Sequence, residues 1–90
     1  MAEDYYSYRY VTEVNGRKLK IEPYWNDGRE LSVDEQVVHR FTSASDQQAI
    51  VQSLDFLVSE NLISKQDKIG KTRLADWESH MVVLPPEDTN

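Results

Sequence analysis

Two histidines, His39 and His80, are where acid–base or metal chemistry would have to begin in this chain. No other side chain has an ordinary pKa that places its charge change near neutral pH. His39 follows Glu35 by four residues, a spacing that puts both on one face of a helix as two candidate metal ligands. His80 follows Asp76 by four residues and Glu78 by two. Two ligands hold a metal weakly, and a surface ion pair is the commoner use of such spacing. The absence of cysteine removes disulfides, thiolate metal sites and thiol nucleophiles. Gly16, Gly28 and Gly70 are isolated, so none builds a phosphate-cradling loop, and no serine sits in a nucleophile elbow. The expectation is a protein that is not an enzyme, with no cofactor and no metal.

What remains is charge and aromatic surface. A net charge of −6 on 90 residues argues against general nucleic-acid affinity and points to a protein partner with a basic surface. The function read from this is a small non-catalytic binding or regulatory protein. One concrete form is an acidic inhibitor or adaptor of a basic, nucleic-acid-handling partner. Asp34, Glu35, Asp46, Asp55 and Glu60 would meet that partner, with the contact centred on Asp46, Asp55, Glu60 and Phe56. Phe56 falls outside the apolar stripe of its own helix; packing under the hairpin is the commoner fate of such a residue, and if exposed it calls for a partner. Tyr6, Tyr8 and Tyr10 beside Arg9, Lys18 and Lys20 have the composition of a base-stacking platform. They share their strand face with Leu19, Ile21 and Trp25, however, which reads as core with hydroxyls reaching the rim.

A second surface is basic. Lys65, Lys68, Lys71 and Arg73 stand against only Asp67 between Ser64 and Arg73. The stretch "QQAIVQSLDFLVSENLISKQDKIGKTRLADW" (Gln47–Trp77) resembles the recognition helix and wing of a winged helix-turn-helix domain. Leu54, Leu57, Leu62 and Ile63 match its leucine pattern, and the basic loop follows. The resemblance implies a DNA-binding transcriptional regulator as the alternative function. Gln47, Gln48, Gln52 and Ser53 would lie on the reading helix, and Lys65, Lys68, Lys71 and Arg73 on the wing.

The elements that must position these residues follow from patterning. Asn15-Gly16 between two alternating runs predicts a hairpin, since a type I′ turn needs positive φ at both central residues. A two-residue loop pairs Val14 with Arg17, Thr12 with Leu19, Tyr10 with Ile21, Tyr8 with Pro23 and Tyr6 with Trp25. The same register sets Glu13 against Lys18 and Arg9 against Glu22 on the other face. Asp27-Gly28 reads as a turn. Ser32 to Glu35 reads as a capping box opening a helix over 33–42, with Val33, Val37, Val38 and Phe41 as its stripe. Ser45 to Gln48 opens another helix over 46–60, with Ile50, Val51, Leu54, Leu57 and Val58 facing the core and Asn61 as its left-handed cap. Beyond it, Leu62-Ile63 reads as the start of an extended pair returning along Thr72–Trp77. A third helix over Thr72–Met81 is the other reading, and Val82–Leu84 adds an edge strand.

The fold class expected is α+β: an N-terminal hairpin packed on two or three helices, with short strands near the C-terminus. Residues 1–84 form one small domain and 85–90 a disordered acidic tail. No apolar run reaches the ~20 residues a membrane span needs, and the acidic start is not a signal peptide, so the expected setting is cytoplasmic. A homodimer is also expected to be within reach. A two-stranded hairpin leaves open edges, and Tyr5, Val11 and Tyr24 lie on its polar face.

Overall fold

A computed structural model describes residues 5–84. Its strands are β1 (Tyr5–Val14), β2 (Arg17–Pro23), β3 (Gly28–Val33), β4 (Gln36–Thr42) and β5 (Glu78–Leu84). Between β4 and β5 come helix α1 (Asp46–Ser59), the short helix α2 (Lys65–Ile69) and a 3-10 turn at Leu74–Asp76. The strands make one antiparallel sheet in the order β4-β3-β2-β1-β5, so the last strand crosses back to pair with the first. The expected hairpin on two or three helices is therefore corrected to a five-stranded sheet with one long helix across one face. The tail expected over 85–90 lies outside the described residues.

The hairpin forms in the register expected near its turn, with Val14 opposite Arg17, Thr12 opposite Leu19 and Tyr10 opposite Ile21. Asn15 and Gly16 both have positive φ, at 52° and 79°. Farther out the pairing with β2 stops at Tyr10, so the expected Tyr8–Pro23 and Tyr6–Trp25 pairs are not made, and β1 continues along its other edge with Tyr8 opposite Met81 and Tyr6 opposite Val83. The hairpin is thus the middle of the sheet, and the open edges belong to β4 and β5.

The helix expected over 33–42 is strand β4. Asp34 and Glu35 both adopt left-handed backbone, at φ 51° and 71°, and make a tight β3–β4 turn where a capping box was expected. Asp34 Oδ1 accepts the Lys18 amide at 2.9 Å, and Glu35 receives the ammonium groups of Lys18 and Lys20, at 2.6 and 2.8 Å. Those bonds tie the turn to β2. The spacing of Val33, Val37 and Phe41 misled because four residues is near one helical turn and also two strand repeats. Similarly, the β2–β3 corner is Asn26-Asp27, at φ 58° and 60°, one residue earlier than expected.

The long helix lies where its spacing placed it. Ser45 caps it, its hydroxyl accepting the Gln48 amide at 3.2 Å, and Asn61 follows its end at φ 59°. Ala49, Ile50, Ser53, Leu54 and Leu57 are buried against Leu19, Ile21 and Leu31 of the sheet, with Tyr10, Val14, Ile63 and Trp77 closing the core. Each large aliphatic side chain so buried contributes about 1.5–3 kcal/mol. Of the three tyrosines expected in the core only Tyr10 is there; Tyr6 and Tyr8 are exposed. They lie on β1 beyond its paired stretch with β2, where apolar cover from the helix has run out.

After Asn61 the chain also departs from expectation. Where an extended pair was read, Ser64 and Asp67 form a reciprocal capping box that starts α2. Trp77 turns inward, its indole donating to the Lys71 carbonyl at 2.7 Å, and only then does β5 begin. No helix among the described residues is long and apolar enough to cross a membrane.

Candidate functional site

The two faces of the sheet differ in kind. On the face away from α1, opposite charges form a lattice across four strands. Arg9 meets Glu22 at 2.6 Å, Lys20 lies 3.7 Å from Glu22 and 2.8 Å from Glu35, and Lys18 reaches Glu35 at 2.6 Å. Farther along, Arg40 reaches Glu30 at 2.8 Å, and the Tyr24 hydroxyl donates to Glu30 at 2.9 Å. The two lysines hold the Glu35 carboxyl down at about 2. Arg40 likewise draws the Glu30 carboxyl below its ordinary value, and Glu30 raises the Tyr24 hydroxyl. The lattice consumes its own charges, so this face offers little to a partner. The homodimer expected through Tyr5, Val11 and Tyr24 loses its edge as well, because β3 and β5 flank the hairpin.

Of the four residues expected to meet a partner, two are used internally. Asp46, at the start of α1, accepts the Tyr10 hydroxyl at 2.7 Å and the Arg29 guanidinium at 3.2 Å. Burial, and then the bond to Asp46, push the Tyr10 hydroxyl well above its ordinary pKa, so it stays a donor. Arg29 is buried and needs that carboxylate, so Asp46 is a staple between helix and sheet. Asp55 pairs with Lys68.

The other two, Phe56 and Glu60, come together. They line a shallow groove of about 400 Å³ with Val38 and Leu62, between the edge strand β4 and the C-terminal half of α1. Phe56 is held there by stacking: its ring lies on His39 at 4.1 Å and 4°, and His39 in turn stacks on Phe41 at 5.3 Å. His39 is thereby a packing residue, set on a strand and not on a helix with Glu35 as expected. Glu60 is exposed and has no ion pair among the described residues. Val38 was invisible as a groove residue, and His39 as the ring beneath Phe56, because the spacing over 33–42 reads as a helix. Their β-branched and aromatic neighbours on "QVVHRFT" were the available signal.

The basic segment does not form a wing. Lys65 and Lys68 lie on α2, Lys71 follows it, and Arg73 sits 3.6 Å from Asp76. Three of the four residues expected to read DNA are otherwise engaged: Gln47 donates to the Thr72 carbonyl, Gln48 accepts the Ala44 amide, and Ser53 is fully buried, while Gln52 is exposed. His80 contacts Glu78 at 3.0 Å. A second depression of about 360 Å³, lined by Asn26, Asp27, Thr42, Ser43, Ala44 and Gln48, is polar and open. Among the described residues no three His, Asp or Glu side chains cluster as a metal site would require. Comparison with protein-family models, with curated proteins and with solved structures finds no match to this chain.

Proposed function

We propose that this chain is a non-catalytic protein-binding module that takes an extended segment of a partner along β4. The groove between β4 and α1 carries this reading. An edge strand with an apolar trough beside it is the arrangement by which peptides add to a sheet: main-chain bonds hold the peptide, and the trough selects alternate side chains. Here Val38, Phe56 and Leu62 would accept apolar side chains. Glu60, unpaired at the rim of an acidic protein, favours a lysine or arginine beside them. The partner segment is thus extended, apolar at alternate positions and basic, which fits an adaptor or inhibitor of a basic protein.

The test is selection of random peptides on the immobilised chain, followed by fluorescence anisotropy with the enriched sequences. Enrichment of alternating apolar and basic residues is expected, with affinity falling as salt rises. Phe56→Ala and Glu60→Lys should each weaken binding about tenfold or more. Peptides that bind both variants as well as the parent chain would overturn the reading. So would tight binding of duplex DNA by a chain that selects no peptide.

A further inference from the structure

The other open edge has a different character. Tyr6, Tyr8, Met81 and Val83 lie on the helix-side face of β1 and β5 and are 62%, 47%, 63% and 47% exposed. At those exposures the four side chains present roughly 400 Å² of apolar surface, as large as the largest patch on an ordinary monomer. The patch ends at the free edge of β5. We propose that its occupant is a second copy of this chain, joined by antiparallel pairing of β5 with β5 about a two-fold axis at Met81.

The backbone settles whether that pairing is possible. Val14 and Arg17 flank a two-residue turn, so they share the turn hydrogen bond. Alternate residues of β1, namely Val14, Thr12 and Tyr10, therefore direct their backbone groups to β2, and Val11, Arg9 and Ser7 direct theirs to β5. These face Glu78, His80 and Val82. By the same alternation Ser79, Met81 and Val83 hold their N–H and C=O groups outward from the sheet. A two-fold axis at Met81 sets Met81 against its own copy and Ser79 against Val83 of the second copy. All three are outward-pointing positions, giving about six new hydrogen bonds.

Charge and strand overlap agree with this register. It alone overlaps the whole strand Glu78–Leu84, and it puts Glu78 opposite Leu84 and His80 opposite Val82, with no like charges facing. Because directly opposed residues share a face, the two apolar patches merge into one band. The join itself buries the two β5 edges and the flanks of Met81 and Val83 against their copies, less than the ~1,200 Å² at the low end for a specific interface, so the backbone bonds carry it. A reversible dimer is the expected result.

Sedimentation equilibrium of the full chain tests this. A monomer–dimer equilibrium is expected, weakened tenfold or more by Met81→Lys, which sets like charges face to face, and unaffected by Val37→Lys on β4. Because the chain has no cysteine, Met81→Cys gives an independent reading of register. Opposed Cα atoms in a hydrogen-bonded pair lie about 5.5 Å apart, within disulfide reach, so mild oxidation should link two copies. His80→Cys, opposite Val82, should not link. A chain that stays monomeric at high concentration would overturn the proposal. Equal weakening by both lysine variants, or open-ended polymers from β4–β5 pairing, would overturn it too.

Discussion

Ser53 is fully buried in α1, and its hydroxyl has no hydrogen-bond partner. A buried polar group left unsatisfied costs about 1–3 kcal/mol, and alanine differs from serine only by that oxygen. Ser53→Ala is therefore expected to stabilise the fold by about 1 kcal/mol, seen as a higher urea midpoint with an unchanged slope. Glu35 makes the opposite case at the surface. Its carboxyl is held at about 2 in the folded protein against an ordinary 4.5, through the hydrogen bonds from Lys18 and Lys20. A depressed carboxylate adds stability that is present above pH 4.5 and is lost as pH falls toward about 2. Acid titration of the unfolding midpoint should show this loss across that window, and Glu35→Gln should shallow it. High salt should shallow it too, because the pair is exposed and screened.

At the scale of elements, the turns decide the sheet. Gly28 opens β3 directly after the Asn26-Asp27 corner, where its amide donates to the Trp25 carbonyl at 3.1 Å and its carbonyl accepts the Tyr24 amide at 2.8 Å. A Cβ there would meet the Trp25 carbonyl oxygen at 3.0 Å and Tyr24 Cβ at 3.1 Å. Both neighbours are pinned by those bonds, so the corner must open to admit a methyl group. Gly28→Ala should destabilise by about 1–3 kcal/mol in equilibrium unfolding. The same turns mark what could be read in advance. Asn15-Gly16 named its own hairpin and register because the dipeptide has few alternatives at positive φ. Asp34-Glu35 did not, since glutamate rarely adopts left-handed backbone; here the lysine bonds from β2, distant in sequence, hold it there. With that turn unseen, β4 became a helix and half of the groove vanished from view. Phe56 was legible as lying off the apolar stripe because α1 is long and amphipathic, whereas Glu60 was named for its charge alone. Tyr6 and Tyr8 failed for a different reason. Alternation gives their face correctly but says nothing of how far the helix extends over it.

Across the whole molecule, the sheet is longer than the helix that covers it. β1 alone spans ten residues, about 33 Å, against about 21 Å for the fourteen of α1, and the β1–β5 end carries bare apolar side chains on its helix side. A chain of this size has a thin stability margin, so pairing the β5 edge should matter to folding as well as to assembly. If β5 pairs with a second copy, dimer formation is linked to unfolding, because only folded chains pair. The midpoint temperature should then rise with protein concentration once the dimer is populated, by roughly 3–5 °C for each tenfold increase at this domain size. Met81→Lys should remove that dependence while leaving the midpoint of the dilute protein nearly unchanged, since the side chain it alters is exposed in the monomer. Glu60→Lys, on the far side of the sheet, should leave the dependence intact. A midpoint that stays flat over about a hundredfold range of concentration would mean the β5 edge is unoccupied, and the apolar band would need a different partner.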